Sequence, residues 1–429
     1  MIKYFIHTLL TITFLLIFSL PSKADVIRIS VDGAISPASA SYIKEGIKEA
    51  EKSKADALLI ELNTPGGLLE STRDIVQYIF SSRIPVIVYV APGGARAGSA
   101  GVFITLAANI AAMAPGTNIG AAHPVGLGGE SDSSKVMYDK VTNDAAAFIR
   151  SIAQKRKRNQ DWAENAVRNS ISATENEAFE QNAIDFIAPN AQKLLMMVDG
   201  MKIETAKSTV TLKTAGKKII DKEMNWKEIL LSIISDPNVA YIFVLLAMYG
   251  ILFELYNPGS IFPGVIGGIS AILAAYSLQI LPVNYSGLLL ILLAVVLFII
   301  EIKVVSYGLL TIGGIVAFIL GSTMLIESPV EVLNISISLI IIGSIATTLF
   351  FLVVISLGIK AQYRKTDSGA EGMIGKTGIA ITAISKGQKG KIKAFGEIWT
   401  AVSDSEINPG DEVIIEEAKS LTIKVKKLL

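Results

Sequence analysis

Gly93-Gly94-Ala95-Arg96-Ala97-Gly98-Ser99-Ala100-Gly101, preceded by the apolar run PVIVYV at 85–90, is the stretch on which the fold turns. A bounding proline and β-branched residues make 85–90 a buried strand, and the small apolar residues over 99–112 read as a helix. Ser99 therefore stands at the helix N-terminus. Two uses suit a serine there: it caps the helix through its side-chain oxygen, or its hydroxyl attacks a carbonyl beside free N–H groups and the positive end of the helix dipole. Small residues on both sides admit the backbone of a substrate.

Outward from this turn, strands at 26–31 and 57–62 alternate with helices at 39–52 and 68–81, the pattern of parallel βαβ units in an α/β domain. Between strand and helix lies Asn63-Thr64-Pro65-Gly66-Gly67. The paired glycines form either a plain tight turn or an oxyanion hole, with N–H groups of Gly66 and Gly67 open toward a substrate at Ser99.

A serine needs a base, and composition leaves few. The 429 residues contain no cysteine and two histidines, one of them His7 in the N-terminal apolar segment. Thiol catalysis, disulfide scaffolding and the usual zinc sites fall away, so neither a metal nor a cofactor is expected. A net charge of +1 gives no basic field for nucleic acid. Lys140 sits near the start of a stretch whose apolar positions Val141, Ala145, Phe148, Ile149 and Ile152 recur at helical spacing. A lysine at a helix N-terminus is disfavoured as a cation, which suits an amine that accepts the serine proton, although Asp139 and Asp144 oppose this if they share its face. His123, in a Gly- and Pro-bounded loop after a strand at 110–114, competes as the base. It can also pack beneath the site and bind a carbonyl. Spacing alone does not choose between them.

Hydrophobic residues make up 51% of the chain and mean hydropathy is +0.52, so part of it belongs in lipid. Lys3, an apolar run to Leu20 and Ser22-Lys23-Ala24 read as a signal peptide over 1–24 cleaved after Ala24, with an uncleaved anchor as the alternative, and either way the residues from about 25 onward are exported. Further helices are expected at 162–168 and 172–181, with Ser172 as cap, and Lys155-Arg156-Lys157-Arg158 reads as a solvated helix end. An amphipathic helix at 226–234 is expected to lie on the membrane surface. Five apolar spans follow at 238–256, 261–281, 286–302, 306–326 and 336–360, each near the ~20 residues of a crossing. With 25–225 outside, Lys303, Lys360, Arg364 and Lys365 fall in the cytoplasm and Glu327 and Glu331 outside, in agreement with the positive-inside rule. Glu254 and Glu301 suit interfacial positions, and Gly267-Gly268 and Gly313-Gly314 permit close helix packing. From 361, strands at 375–384, 390–403 and 411–428 fit a five-stranded OB-type barrel with Phe395 and Trp399 in its core.

Asn63-Thr64-Pro65-Gly66-Gly67, Gly93 to Gly101, Ala114-Pro115-Gly116-Thr117-Asn118-Ile119-Gly120-Ala121-Ala122-His123-Pro124 and Lys140 together closely resemble the long-form NfeD membrane-bound serine proteases of the ClpP class, over nearly the whole chain. The resemblance implies a ClpP/crotonase-like α/β domain over 25–225, a membrane domain over 226–360 and an OB-like domain over 361–429. It implies Ser99 as nucleophile, Lys140 as base and Gly66 with Gly67 as oxyanion donors, whereas ClpP itself has a histidine at about the position of His123. It also implies cleavage of hydrophobic segments in stomatin/prohibitin-like membrane proteins and a homo-oligomer, a dimer. A non-catalytic membrane scaffold that organises stomatin-like proteins is the alternative.

Overall fold

The computed structural model describes residues 26–124, 132–256, 259, 261–304, 306–328, 333–362, 370–419 and 421–428, and the chain divides after Thr347 into two compact units. The leader over 1–24, Glu331, Arg364 and Lys365 lie outside these residues.

The first unit opens with β1 (Val26–Asp32), α1 (Pro37–Ser53), β2 (Ala57–Asn63), α2 (Leu69–Ser81) and β3 (Val86–Val90). Next come β4 (Arg96–Gly98), α3 (Ala100–Ala107), β5 (Ile110–Met113), β6 (Asn118–Gly120), α4 (Asp132–Lys155) and α5 (Gln160–Arg168). The domain closes with β7 (Ser172–Thr174), α6 (Glu175–Glu180), β8 (Phe186–Ile187), α7 (Ala191–Met197), β9 (Lys202–Glu204), β10 (Thr209–Thr211) and β11 (Ile219–Asp221). The main sheet runs β11-β1-β2-β3-β5-β8 with every pair parallel. Its central strands are buried on both faces, so Leu58, Leu59 and Ile60 are all fully covered and the strands read as continuous apolar runs. Helix α1 starts at a capping box in which Ser36 and Ser39 bond reciprocally, with Pro37 in the first turn, and stops where Lys54 turns left-handed.

A second sheet, β4-β6-β7, meets the end of β2 through a bridge between Thr64 and Ala97. Its strand β4 falls within what the sequence presents as a glycine-rich turn. The serine's helix is also shorter than expected: α3 ends at Ala107 because Asn109 leaves it, accepting from the Val86 N–H at 2.9 Å and donating to the Glu204 carbonyl at 2.8 Å. The chain then returns to the sheet as β5. Ser172 lies in β7 and does not cap; Thr174 does, in a capping box with Glu177. The strand β11, unseen in the polar sequence after 189, joins the sheet edge at β1, where Arg28 holds Asp221.

The membrane part comprises α8 (Trp226–Ile234), α9 (Pro237–Tyr256), α10 (Ile261–Ile280), α11 (Tyr285–Lys303), α12 (Leu309–Met324) and α13 (Ile337–Gln362). Helices α9 and α10 are long and apolar enough to cross a bilayer, and Tyr285–Glu301, Leu309–Met324 and Ile337–Val353 are further apolar stretches among the described residues. On α8, Trp226, Ile229, Leu230 and Ile233 are exposed in one apolar row. Helices α9 and α10 touch backbone to backbone, since a Cβ on Gly250 would lie 2.6 Å from the Gly267 Cα. In each glycine pair one residue does this packing: Gly268 faces open space, and Gly314, not Gly313, takes the Phe298 ring. Glu301 accepts hydrogen bonds from Ser306 Oγ at 2.6 Å and from the N–H groups of Gly308 and Thr311, fastening the turn into α12.

The second unit contains a closed barrel of β12 (Thr377–Ala380), β13 (Gly390–Ala394), β14 (Glu397–Val402), β15 (Glu412–Lys419) and β16 (Thr422–Lys427) in the order β12-β13-β14-β16-β15. The parallel β14–β16 pair amid antiparallel neighbours is the OB arrangement. Phe395 is not in the core. It is 69% exposed at a left-handed turn that splits the expected 390–403 strand in two, while Trp399 packs partly against the barrel interior.

Candidate active site

Strand β4 delivers the chain to Ser99 in an unusual conformation, φ 46° and ψ −107°, which a non-glycine residue adopts only under constraint. The constraint is visible. Gly98 is fixed by its N–H to the Thr64 carbonyl at 2.9 Å, Ser99 donates its own N–H to the Gly120 carbonyl at 3.2 Å, and the Ser99 carbonyl accepts from Val102. Ser99 occupies the cap position of α3, yet its hydroxyl makes no capping bond. It lines a cleft of about 270 Å³ walled by Leu68, Phe103, Val141 and Ala145.

The glycine loop lies against this serine. A Cβ on Gly66, whose φ is +129°, would stand 2.7 Å from Ser99 Cβ, so only glycine permits the approach. At Gly67 a Cβ would come within 2.1 Å of the Ile35 carbonyl oxygen, because Ile35 bonds to both neighbours of Gly67. The two N–H groups differ in commitment. That of Gly66 donates to Thr64 Oγ1 at 3.1 Å, whereas that of Gly67, a residue lining the cleft, makes no hydrogen bond among the described residues. The N–H of Ala100 opens α3 with no intrahelical partner by position, a donor that the sequence reading overlooked.

Lys140 is exposed on α4 and makes no hydrogen bond to Ser99 among the described residues; its neighbour Val141 and Ala145 one turn on face the cleft instead. Because α4 begins at Asp132, Lys140 stands two turns inside the helix, beyond the reach expected of a first-turn dipole effect. Asp144 is occupied by Arg73, which also lies 4.4 Å over the Phe148 ring.

His123 is engaged at both ring nitrogens. Nδ1 lies 2.6 Å from the Val167 carbonyl and Nε2 meets the Tyr138 hydroxyl, so the consistent tautomer donates from Nδ1 and accepts at Nε2. This ring ties the end of α5 to the turn of α4 that carries Tyr138 and Lys140. Its neighbours Ala122 and Pro124 line the cleft, and His123 does not.

Residues 25–213 match the description "NfeD1b, N-terminal domain", 238–356 "NfeD integral membrane domain" and 370–427 "NfeD-like C-terminal, partner-binding domain". The membrane-bound protease PH1510 of Pyrococcus horikoshii is 36% identical over 388 residues, covering 88% of this chain and 87% of its own. The chain belongs to the NfeD family. A second NfeD relative, the membrane protein NfeD1b of Bacillus subtilis, is 29% identical over 392 residues, covering 84% of each chain. Among solved structures, a variant of the 1510-N membrane-bound stomatin-specific protease in complex with a substrate peptide is 36% identical, with TM-score 0.45, covering 50% of this chain and 98% of that one. This NfeD chain is thus a membrane protein in three parts: an α/β domain, a helical membrane block and a closed barrel.

Proposed function

We propose that the chain is a membrane-anchored serine endopeptidase, with a catalytic domain over 25–225 outside the cytoplasm, a membrane domain over 226–360 and a cytoplasmic partner-binding barrel over 361–429. The observation that carries the reading is the uncapped Ser99 hydroxyl, held at a strained backbone position in an apolar cleft. Membership in a family with a membrane-bound protease supports it.

In this reading Ser99 Oγ attacks the scissile carbonyl carbon while its proton passes to the Lys140 amine. The N–H groups of Gly67 and Ala100 hold the resulting oxyanion, and Gly66 keeps the approach to Ser99 clear. Lys140 then protonates the leaving amine, and water releases the acyl group from Ser99 by the same steps. Lys140, exposed on α4, closes on Ser99 when substrate fills the cleft, since catalytic hydrogen bonds commonly tighten in the substrate complex. The apolar walls select apolar residues beside the cut, and kinship to a stomatin-specific protease supports a stomatin- or prohibitin-like membrane protein as the substrate.

The test is incubation of the full-length protein in detergent with peptides that carry apolar segments, before and after a fluorophosphonate blocks serine. Cuts within apolar segments that vanish on blocking are the expected result; cuts that persist, or none at all, reject the peptidase. Gly66→Ala is expected to push Ser99 out of place and lower its labelling rate about a hundredfold, the usual effect of misplacing a reacting atom by ~1 Å. Labelling at the wild-type rate in a folded Gly66→Ala protein would contradict the assigned contact.

A further inference from the structure

The cleft has a wall that the α/β domain does not supply. Pro282, between α10 and α11, and Glu327, Ser328 and Leu333, between α12 and α13, line the same cleft as Ser99. These two loops are fastened together. Val283 pairs antiparallel with Ile326, and the Asn284 N–H donates to the Leu325 carbonyl at 3.0 Å. Asn334 holds Ser328 on two sides, its Oδ1 accepting from the Ser328 N–H and its Nδ2 donating to the Ser328 carbonyl, both at 2.6 Å. The Ser336 N–H reaches Asn238 Oδ1 at 2.8 Å, tying the loop to the start of α9, and Leu333 is buried. The membrane domain therefore presents a built surface to the serine.

Its chemistry differs from that of the opposite wall. Among the described lining residues Glu327 alone is charged, and it forms no ion pair with another described residue. The carboxylate is exposed, so it remains solvated while the cleft is empty. A peptide filling the cleft displaces that water, and a cationic side chain beside Glu327 then compensates for it, whereas an acidic one is repelled.

We propose that Glu327 forms a specificity subsite of a composite cleft, taking one lysine or arginine side chain of an extended peptide whose neighbouring apolar residues pack against Leu333 and the α/β domain. The inference rests on the peptidase reading for the identity of Ser99 and for nothing else. It adds to that reading a membrane-domain residue that chooses the substrate.

The experiment uses the full-length Ser99→Ala protein in lipid nanodiscs, so that binding is measured without turnover. Fluorescent peptides share an apolar core and carry lysine, glutamine or glutamate, moved one position at a time along its flanks. At one position the lysine peptide is expected to bind about fivefold more tightly than the glutamate peptide, the scale of a partly exposed ion pair. Adding Glu327→Gln should level the series, and adding Glu327→Lys should reverse it. An unchanged order of affinities in all three proteins overturns the subsite. The same peptides given to the protein with Ser99 intact separate the two claims. Peptides bound in a Glu327-dependent order but never cut reject the peptidase and keep the subsite; peptides cut without any such order do the opposite.

Discussion

Ser99→Ala and Lys140→Ala are each expected to lower kcat/KM for an apolar peptide by about a thousandfold or more, and the double variant to lose no more than either alone. The reason is that neither group works without the other. An alkoxide forms only if its proton has somewhere to go, and an amine beside a methyl group has no proton to take. His123→Ala should keep appreciable activity, because both nitrogens of that ring are committed to Val167 and Tyr138 and neither reaches the cleft. Steady-state rates of the four variants, with each fold checked by circular dichroism, decide the matter. A fully active Lys140→Ala protein removes the dyad, and a dead but folded His123→Ala protein beside an active Lys140→Ala protein gives the base to the histidine.

Arg158→Ala is expected to destabilise the α/β domain by about 2–4 kcal/mol, because it takes the donor from two buried carbonyls of the α3 end and from the partly exposed Asp185. Arg158 is 4% exposed; it donates to the Leu106 carbonyl at 2.6 Å and the Ala108 carbonyl at 3.0 Å, and pairs with Asp185. Arg156 adds a bond to the Ala107 carbonyl at 2.7 Å, and burial, with Arg158 nearby, pushes its guanidinium down to about 10. Two arginines thus bind the last carbonyls of α3, the helix that Ser99 opens. Cations at that end complement the dipole whose positive end faces the cleft. Thermal denaturation of the full-length protein in detergent, followed by proteolysis of the α/β domain, should show a midpoint lower by on the order of 10 °C. A drop of about a degree would mean that the pair is replaceable by solvent.

This arginine pair shows where sequence reading stops. Lys155-Arg156-Lys157-Arg158 has the composition of a solvated helix end, and nothing local says that Arg158 turns inward, because the carbonyls that receive it come from α3. The alternating strands and helices through 90 were legible, since apolar period and bounding turns are local properties. The short strands β4, β7 and β11 were not, because three-residue strands are defined by their partners rather than by their own pattern. At the site, the position of Ser99 at a helix N-terminus and the glycine loop were legible from residue type and spacing, whereas the backbone strain at Ser99 was not. The differing commitments of Gly66 and Gly67 depend on Thr64 Oγ1, and the arrival of Glu327 depends on tertiary contacts that no spacing encodes.

The barrel at the C-terminal end carries a restriction on whatever binds it. Among the described residues the barrel closes on itself with no free edge strand, and the backbone paired on one side only is limited to short stretches, as in β14 and β16, which gives an added strand little to extend. Recognition there falls to side chains standing on the outer surface, where Phe395, Ile398 and Leu421 are 69%, 64% and 76% exposed. A partner that docks on the barrel thus has to read shape and side-chain chemistry rather than borrow backbone hydrogen bonds along a free strand, so its own strand propensity gives it little advantage.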